Sequence, residues 1–156
     1  MIDVDVPGTG TISIEHVVLD VNGTISVDGS LVDGVAEGVE TFGGDVTVWM
    51  ITADTRGTAA RTAARLGISV EIIEPGMEDS QKTAFVRRLG ASGVVAVGNG
   101  ANDVGMLTEA AIGVCVVGPE GAAGAAVSAA DVVVTSIADA LGLLVDPRRL
   151  VATLRR

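Results

Sequence analysis

Four side chains of this sequence could carry out a transfer reaction if the fold gathered them: Asp20, Thr52, Lys82 and Asp103. Asp20 ends the apolar run Val17-Val18-Leu19 and opens Val21-Asn22-Gly23-Thr24, so a carboxylate stands where a buried-looking strand must turn. An exposed aspartate there can act as a nucleophile. Taken alone, the segment is equally a turn, because Asn-Gly is a common turn pair. Thr52 closes a second apolar run, Val48-Trp49-Met50-Ile51, and is followed by Ala53-Asp54. A third run, Val94-Val95-Ala96-Val97, leads into Gly98-Asn99-Gly100-Ala101-Asn102-Asp103. Lys82 is the only lysine in the chain, every other basic side chain being arginine. One lysine can be an accident of composition, but keeping it also suits a need for a compact ammonium on a flexible stem rather than a planar fork. An anionic nucleophile approaches a phosphoryl group only where cations neutralise the charge between them, which is chemistry this set could serve.

The elements that must position these residues are legible as alternating short apolar runs and segments of helical spacing, the pattern of an α/β fold with a mostly parallel sheet. The expected fold is a Rossmann-like three-layer sandwich with helices on both faces, an N-terminal β-hairpin and no cap domain. Residues 2–6 and 11–15 read as that hairpin, around Pro7-Gly8-Thr9-Gly10. The strand ending at Asp20 follows, then a small flap over 25–33 and a helix over 34–42 ending at Gly43-Gly44. A strand over 46–51 leads to Asp54 or Thr55 as N-cap of a helix through Leu66. Then come a strand near 68–73, a helix near 79–89, a strand at 93–97 and a helix opening at Asn102 or Asp103. Strands near 112–117 and 131–134, each followed by helical sequence, complete the sheet. Asp20, Thr52 and the 98–103 loop all fall at carboxyl ends of strands, where such sheets bind ligands.

Strand, Asp, polar residue, Gly-Thr resembles motif I of the haloacid dehalogenase superfamily. Thr52 matches its motif II, Lys82 the cation of motif III, and 98–103 the Gly-Asp-Gly-x-Asn-Asp form of motif IV. The resemblance covers essentially the whole chain. It is nearest to small soluble proteins similar to the phosphorylation domain of P-type ATPases, through 98–103 and the following Val104-Gly105-Met106-Leu107. What the resemblance implies is phosphoryl transfer through an aspartyl-phosphate on Asp20, with Mg²⁺ as cofactor. Asp20, the backbone carbonyl of Asn22, Asn99 and Asp103 are the implied metal site. Thr52 is implied to hydrogen-bond the phosphoryl oxygens and Lys82 to neutralise charge on Asp20 and the transferring group. Gly23, Thr24, Ala53 and Asn102 are the further implied substrate contacts. Mg²⁺ suits an oxygen-only site with retained waters.

Two departures replace an expected carboxylate with an amide. Asn22 stands where most of these phosphatases carry the Asp that protonates the leaving group and then activates water. Losing a general acid/base costs on the order of 10²- to 10⁴-fold, so slow turnover of poor leaving groups is expected. Asn99 stands where a metal-binding Asp is common, so weaker metal affinity is expected. A phosphate-ligand binding or regulatory protein with little hydrolysis is therefore the second reading. The third takes Gly98-x-Gly100 as a truncated dinucleotide fingerprint; it lacks the third glycine, and Asp103 would repel a pyrophosphate.

The chain of 156 residues reads as a single domain over 1–156, long enough to bury roughly two-thirds or more of its unfolded surface. With aromatics at 2%, its core must come from Val, Ile, Leu and Ala. The net charge of −10 argues against nucleic acid or an anionic membrane as partner, and with almost no lysine it resembles proteins adapted to high salt. No apolar stretch reaches a membrane span and the first residues have no signal-like core, so a cytoplasmic protein is expected. A phosphate-bearing substrate, small or macromolecular, is the expected partner. The missing cap leaves an open site, which resembles those that take large substrates or are closed by a neighbouring subunit, and a homo-oligomer fits that pattern. Cys115, alone in an apolar strand, reads as a small hydrophobe. His16, with no partner cluster, reads as packing or hydrogen bonding rather than a zinc ligand.

Overall fold

The computed structural model describes residues 1–54 and 56–156. The chain opens with an antiparallel hairpin of β1 (Ile2–Val6) and β2 (Gly10–Ile14). Then come β3 (His16–Asp20), a flap of β4 (Ser26–Val27) and β5 (Ser30–Leu31), and α1 (Val35–Thr41). Next are β6 (Thr47–Thr52), α2 (Thr58–Leu66), β7 (Ser69–Ile72), α3 (Glu78–Leu89) and β8 (Val94–Gly98). The chain continues through α4 (Val104–Glu109), β9 (Ile112–Val116), α5 (Gly124–Ala129) and β10 (Val132–Val134), and closes with α6 (Ile137–Val145) and α7 (Arg148–Leu154).

Six strands form one parallel sheet in the order β10-β9-β8-β3-β6-β7. The inner strands β8 and β9 are buried at every position, as strands covered on both faces must be. Alternation within β3 splits its side chains between the faces. Val17 and Leu19 join Val35, Val39, Ala59, Ala63, Leu141 and Leu144 under α1, α2 and α6. Val18 joins Phe85, Val86, Met106, Leu107 and Ala126 under α3, α4 and α5. Each such side chain contributes about 1.5–3 kcal/mol when fully buried, so both faces of the sheet are held by aliphatic burial.

The topology decides where a ligand can sit. From β3 the chain winds outward through β6 and β7, then returns to lay β8 on the other side of β3 and winds outward again through β9 and β10. Winding reverses at β3, and a crevice opens between the loops that leave it and its neighbours. Register fixes the level: Asp20 lies beside Ile51 with Thr52 one step on, and Leu19 lies beside Val97 with Gly98 one step on.

The small flap expected over 25–33 is the β4–β5 hairpin. Its two-residue turn is Asp28-Gly29, with φ of 51° and 77°, the pair of left-handed residues whose twist matches the strands they join. Ahead of α2 the carboxylate of Asp54 accepts from the Arg56 and Ala59 N–H groups at 2.8 and 2.7 Å, satisfying donors at the helix start. These bonds, that to Ala59 first, hold the Asp54 carboxyl below its usual range. The alternative cap, Thr55, lies outside the described residues. The helix expected to open at 102 or 103 begins as a tight turn over 101–103 and becomes α4 from Val104. His16 accepts from the Trp49 indole N–H at 3.4 Å, and Cys115 is buried among apolar neighbours. Among the described residues no helix is long and apolar enough to cross a membrane.

Candidate active site

Asp20 reaches the carboxyl edge of the sheet at its centre, and Lys82 comes to it from α3. Lys82, Phe85 and Val86 share the inner face of that helix through i, i+3 and i+4 spacing. Phe85 is anchored edge-on against Trp49 with ring centroids 5.2 Å apart, and the Asp79 carboxylate fixes the start of α3 by accepting the Gly105 N–H at 2.7 Å. Lys82 is therefore carried into the interior at 1% exposure. Its Nζ donates to Asp20 Oδ1 at 2.6 Å and to Asp103 Oδ1 at 2.7 Å. Burial, then the charge of Asp103, push the Asp20 carboxyl up to about 6, against the pull of Lys82. Burial opposes the charge on Lys82 as well, but the two carboxylates outweigh it and hold the ammonium above the ordinary lysine range.

Asp103 is bound on both sides. Beyond Lys82, its Oδ2 accepts from the backbone N–H groups of Asn99 at 3.0 Å and Gly100 at 2.8 Å, and its exposure is 0%. The carboxylate folds back over Gly98, where an added Cβ would stand 2.6 Å from its Cγ; that position admits no side chain. Asp103 thus shapes the loop and holds the lysine, and does not line the cleft.

The cleft has a volume of about 990 Å³. Of the residues singled out in the sequence, Asp20, Asn22, Thr52, Ala53, Lys82, Asn99 and Asn102 line it. Gly23 and Thr24 are buried and are not among the residues that line it. The Thr24 hydroxyl lies 3.3 Å from both Asp20 Oδ2 and Asn99 Oδ1. One hydroxyl has one proton, so two acceptor oxygens share a single long donor and at least one lone pair goes unmet. The Asn99 amide is oriented by donating from Nδ2 to the Gly121 carbonyl at 3.4 Å, which turns its oxygen toward Asp20. Hard oxygen donors with a surplus of lone pairs suit Mg²⁺, and Asn22 and Thr52 line the same crevice. Among the described residues no three His, Cys, Asp or Glu side chains cluster as a metal cage.

Several lining residues carried no sequence signal of their own. The flap contributes Ser26, Ser30 and Leu31, α2 contributes Thr62 and Arg65, and Arg56 stands ahead of it. Glu78 opens α3 and holds Asn102 Nδ2 at 2.8 Å. Glu120 enters from the turn after β9. A Gly-Pro-Glu-Gly tetrapeptide at the carboxyl end of a strand was the available clue to that last residue.

A family model described as haloacid dehalogenase-like hydrolase matches residues 4–111. An uncharacterised protein of Methanocaldococcus jannaschii is 47% identical over 62 residues, 40% of this chain and 67% of that protein. The 3-deoxy-D-manno-octulosonate 8-phosphate phosphatase of Moraxella catarrhalis, solved with magnesium, phosphate and its sugar, superposes with a TM-score of 0.67 at 20% identity, covering 91% of this chain and 94% of that one. The cobalt-bound deoxy-D-mannose-octulosonate 8-phosphate phosphatase of Haemophilus influenzae gives 0.69 at 17%, covering 88% and 91%. At these identities the likeness to both solved structures is one of fold.

Proposed function

The chain belongs to the haloacid dehalogenase-like hydrolases, and from that membership we propose that it is a Mg²⁺-dependent phosphohydrolase acting through an aspartyl-phosphate on Asp20. The observation that carries this reading is the pairing of Asp20 Oδ1 with Lys82, at 2.6 Å, in a residue that also lines the cleft. One carboxylate oxygen is neutralised and held, which leaves the other to attack.

In the first step a bond forms between the Asp20 carboxylate and phosphorus while the bond from phosphorus to the leaving oxygen breaks. Lys82 offsets the charge that gathers as two anions meet, and Asp103, with both its own oxygens engaged, keeps the ammonium in place. Thr52 hydrogen-bonds the phosphoryl oxygens from the end of β6. Asp20, the Asn22 carbonyl and Asn99 would hold Mg²⁺, which when bound would supply further positive charge to the phosphoryl group. In the second step water attacks phosphorus while the bond from phosphorus to the Asp20 oxygen breaks, releasing the Asp20 carboxylate and inorganic phosphate, and the proton of the water passes to solvent. Asn22 cannot donate or accept the proton in either step, so the leaving oxygen takes its proton from solvent and the phosphoenzyme is long-lived. Acyl and aryl phosphates, whose leaving groups need no proton, are the best substrates. The cleft volume and the phosphatases among the structural relatives support a small phosphate ester as substrate.

Intact-mass measurement after treatment with acetyl phosphate and Mg²⁺ tests this. One phosphoryl adduct, absent from Asp20→Asn, is the expected result. No adduct, with wild type and Asp20→Asn equally inactive on every phosphate ester offered, overturns it. A second reading, retention of a phosphate ligand with little or no turnover, is favoured by Asn22 and Asn99 together in the cleft wall; if Asn22→Asp does not raise hydrolysis, the idea that this acid is the missing component fails.

A further inference from the structure

The motifs leave the metal side of this site short of charge. Asn99 occupies the position of a carboxylate, Asn22 offers only its neutral carbonyl, and Asp103 spends both oxygens on Lys82 and on two backbone N–H groups, outside the cleft. Asp20 alone would face a divalent cation with a full negative charge from within the motifs.

A second carboxylate enters the crevice from outside them. Gly118-Pro119-Glu120-Gly121 is a tight turn closed by the Gly121 N–H on the Gly118 carbonyl at 2.8 Å, with proline fixing its first corner and Gly121 at φ 74°. The turn leans over the end of β8 onto the loop after Asp20. The Ala123 N–H donates to the Asn99 carbonyl at 2.8 Å, and the Gly121 carbonyl accepts from Asn99 Nδ2. A Cβ added to Gly23 would stand 2.6 Å from Glu120 Oε2 and 2.5 Å from Asn99 Nδ2. The Glu120 carboxylate and the Asn99 amide therefore flank one glycine, and Gly23, itself at φ 81°, is bare where both approach. Asn99 is 8% exposed, and its oxygen has only a share of the Thr24 proton.

Resting on the metal-dependent reading above, we infer that Glu120 is the second carboxylate of the Mg²⁺ site, supplying from the turn after β9 the charge that Asn99 lacks. Mg²⁺ is held by one or two carboxylates and keeps several waters, so a carboxylate beside Asn99 can act on the ion through one of them. Partners of this kind typically change metal affinity by 10- to 100-fold.

The test is direct Mg²⁺ binding by calorimetry on the full chain, with Mn²⁺ as a spectroscopic probe, for wild type, Asp20→Asn, Glu120→Gln and the double variant Glu120→Gln/Asn99→Asp. The expected result is a roughly 10-fold or greater loss of affinity in Glu120→Gln, with recovery when a carboxylate is placed at 99. Wild-type affinity in Glu120→Gln, while Asp20→Asn binds weakly, overturns the role of Glu120 and leaves the site intact. Loss without recovery in the double variant also overturns it, since Glu120 would then act by holding the turn. Wild type that binds no Mg²⁺ removes the metal-dependent reading and this inference together.

Discussion

Asp20 and Asp103 share one ammonium at nearly equal distances, 2.6 and 2.7 Å, yet their surroundings set them to opposite tasks. Asp103 gives its remaining oxygen to two backbone N–H groups and is sealed at 0% exposure. Asp20 leaves its other oxygen on a single long contact from Thr24 and borders the cleft. A carboxylate whose hydrogen-bonding capacity is filled by the fold is part of the structure; one left half-filled is available for chemistry. Burial and the second carboxylate also raise Asp20 toward its neutral form, a destabilising arrangement of the kind kept where an anion is needed.

Substitutions at the two positions should therefore separate activity from stability. The largest effect is expected from Asp20→Asn, which should lower acetyl phosphate hydrolysis by roughly 10⁴-fold or more while leaving the fold, at about pH 7 where the Asp20 proton adds nothing, within about 1 kcal/mol of wild type in urea melts. Next, Asp103→Ala should cost about 3–5 kcal/mol of stability, since it breaks a buried ion pair and strands two backbone donors. If Asp20→Asn proved the more destabilising of the two, the contrast drawn here would be reversed. A third variant, Asn22→Asp, restores an acid at the cleft wall and should raise turnover of an alkyl phosphate on the order of 10²-fold, with far less effect on acetyl phosphate; equal gains on both would show that proton transfer is not what is missing.

The smallest effect is expected in pH dependence. The folded Asp20 carboxyl lies at about 6 against an ordinary 3.8, so the folded state holds a proton that the unfolded chain releases. Its contribution to stability therefore rises as pH falls from above 6 towards 4, levels off below, and is absent as a gain at pH 7 and above. The amplitude is of order 2–3 kcal/mol at most. Urea melts in chelator between about pH 4 and 8 should show it as the difference between wild type and Asp20→Asn. Saturating Mg²⁺ should suppress it by favouring the ionised form, and a difference that instead grows with pH would show that the Asp20 carboxyl is lowered.

The strands were readable because each is a short apolar run buried on both faces, and Asp20, Thr52 and Asn99 were readable because each ends one of those runs. Lys82 stood out by being alone of its kind. What the residues could not disclose is direction. Asp103 lies one helical turn beyond Asn99, and nothing in its spacing says that its carboxylate folds back over Gly98 instead of facing the cleft. Glu120 belongs to a turn that meets the Asp20 loop only across the intervening strand β8, a contact made by the sheet order and not by neighbouring sequence. The arginines of the cleft, Arg56 and Arg65, were indistinguishable by type from those on the surface.

Because the sole lysine is enclosed at 1% exposure, the permanently charged basic side chains presented to solvent are, among the described residues, all guanidinium groups. Acylating reagents that seek amines have no side-chain target on the intact protein. Reaction at Lys82 would register the moments when a reagent in the cleft finds its ammonium released from Asp20 and Asp103, so the chain carries its own chemical reporter of that pairing.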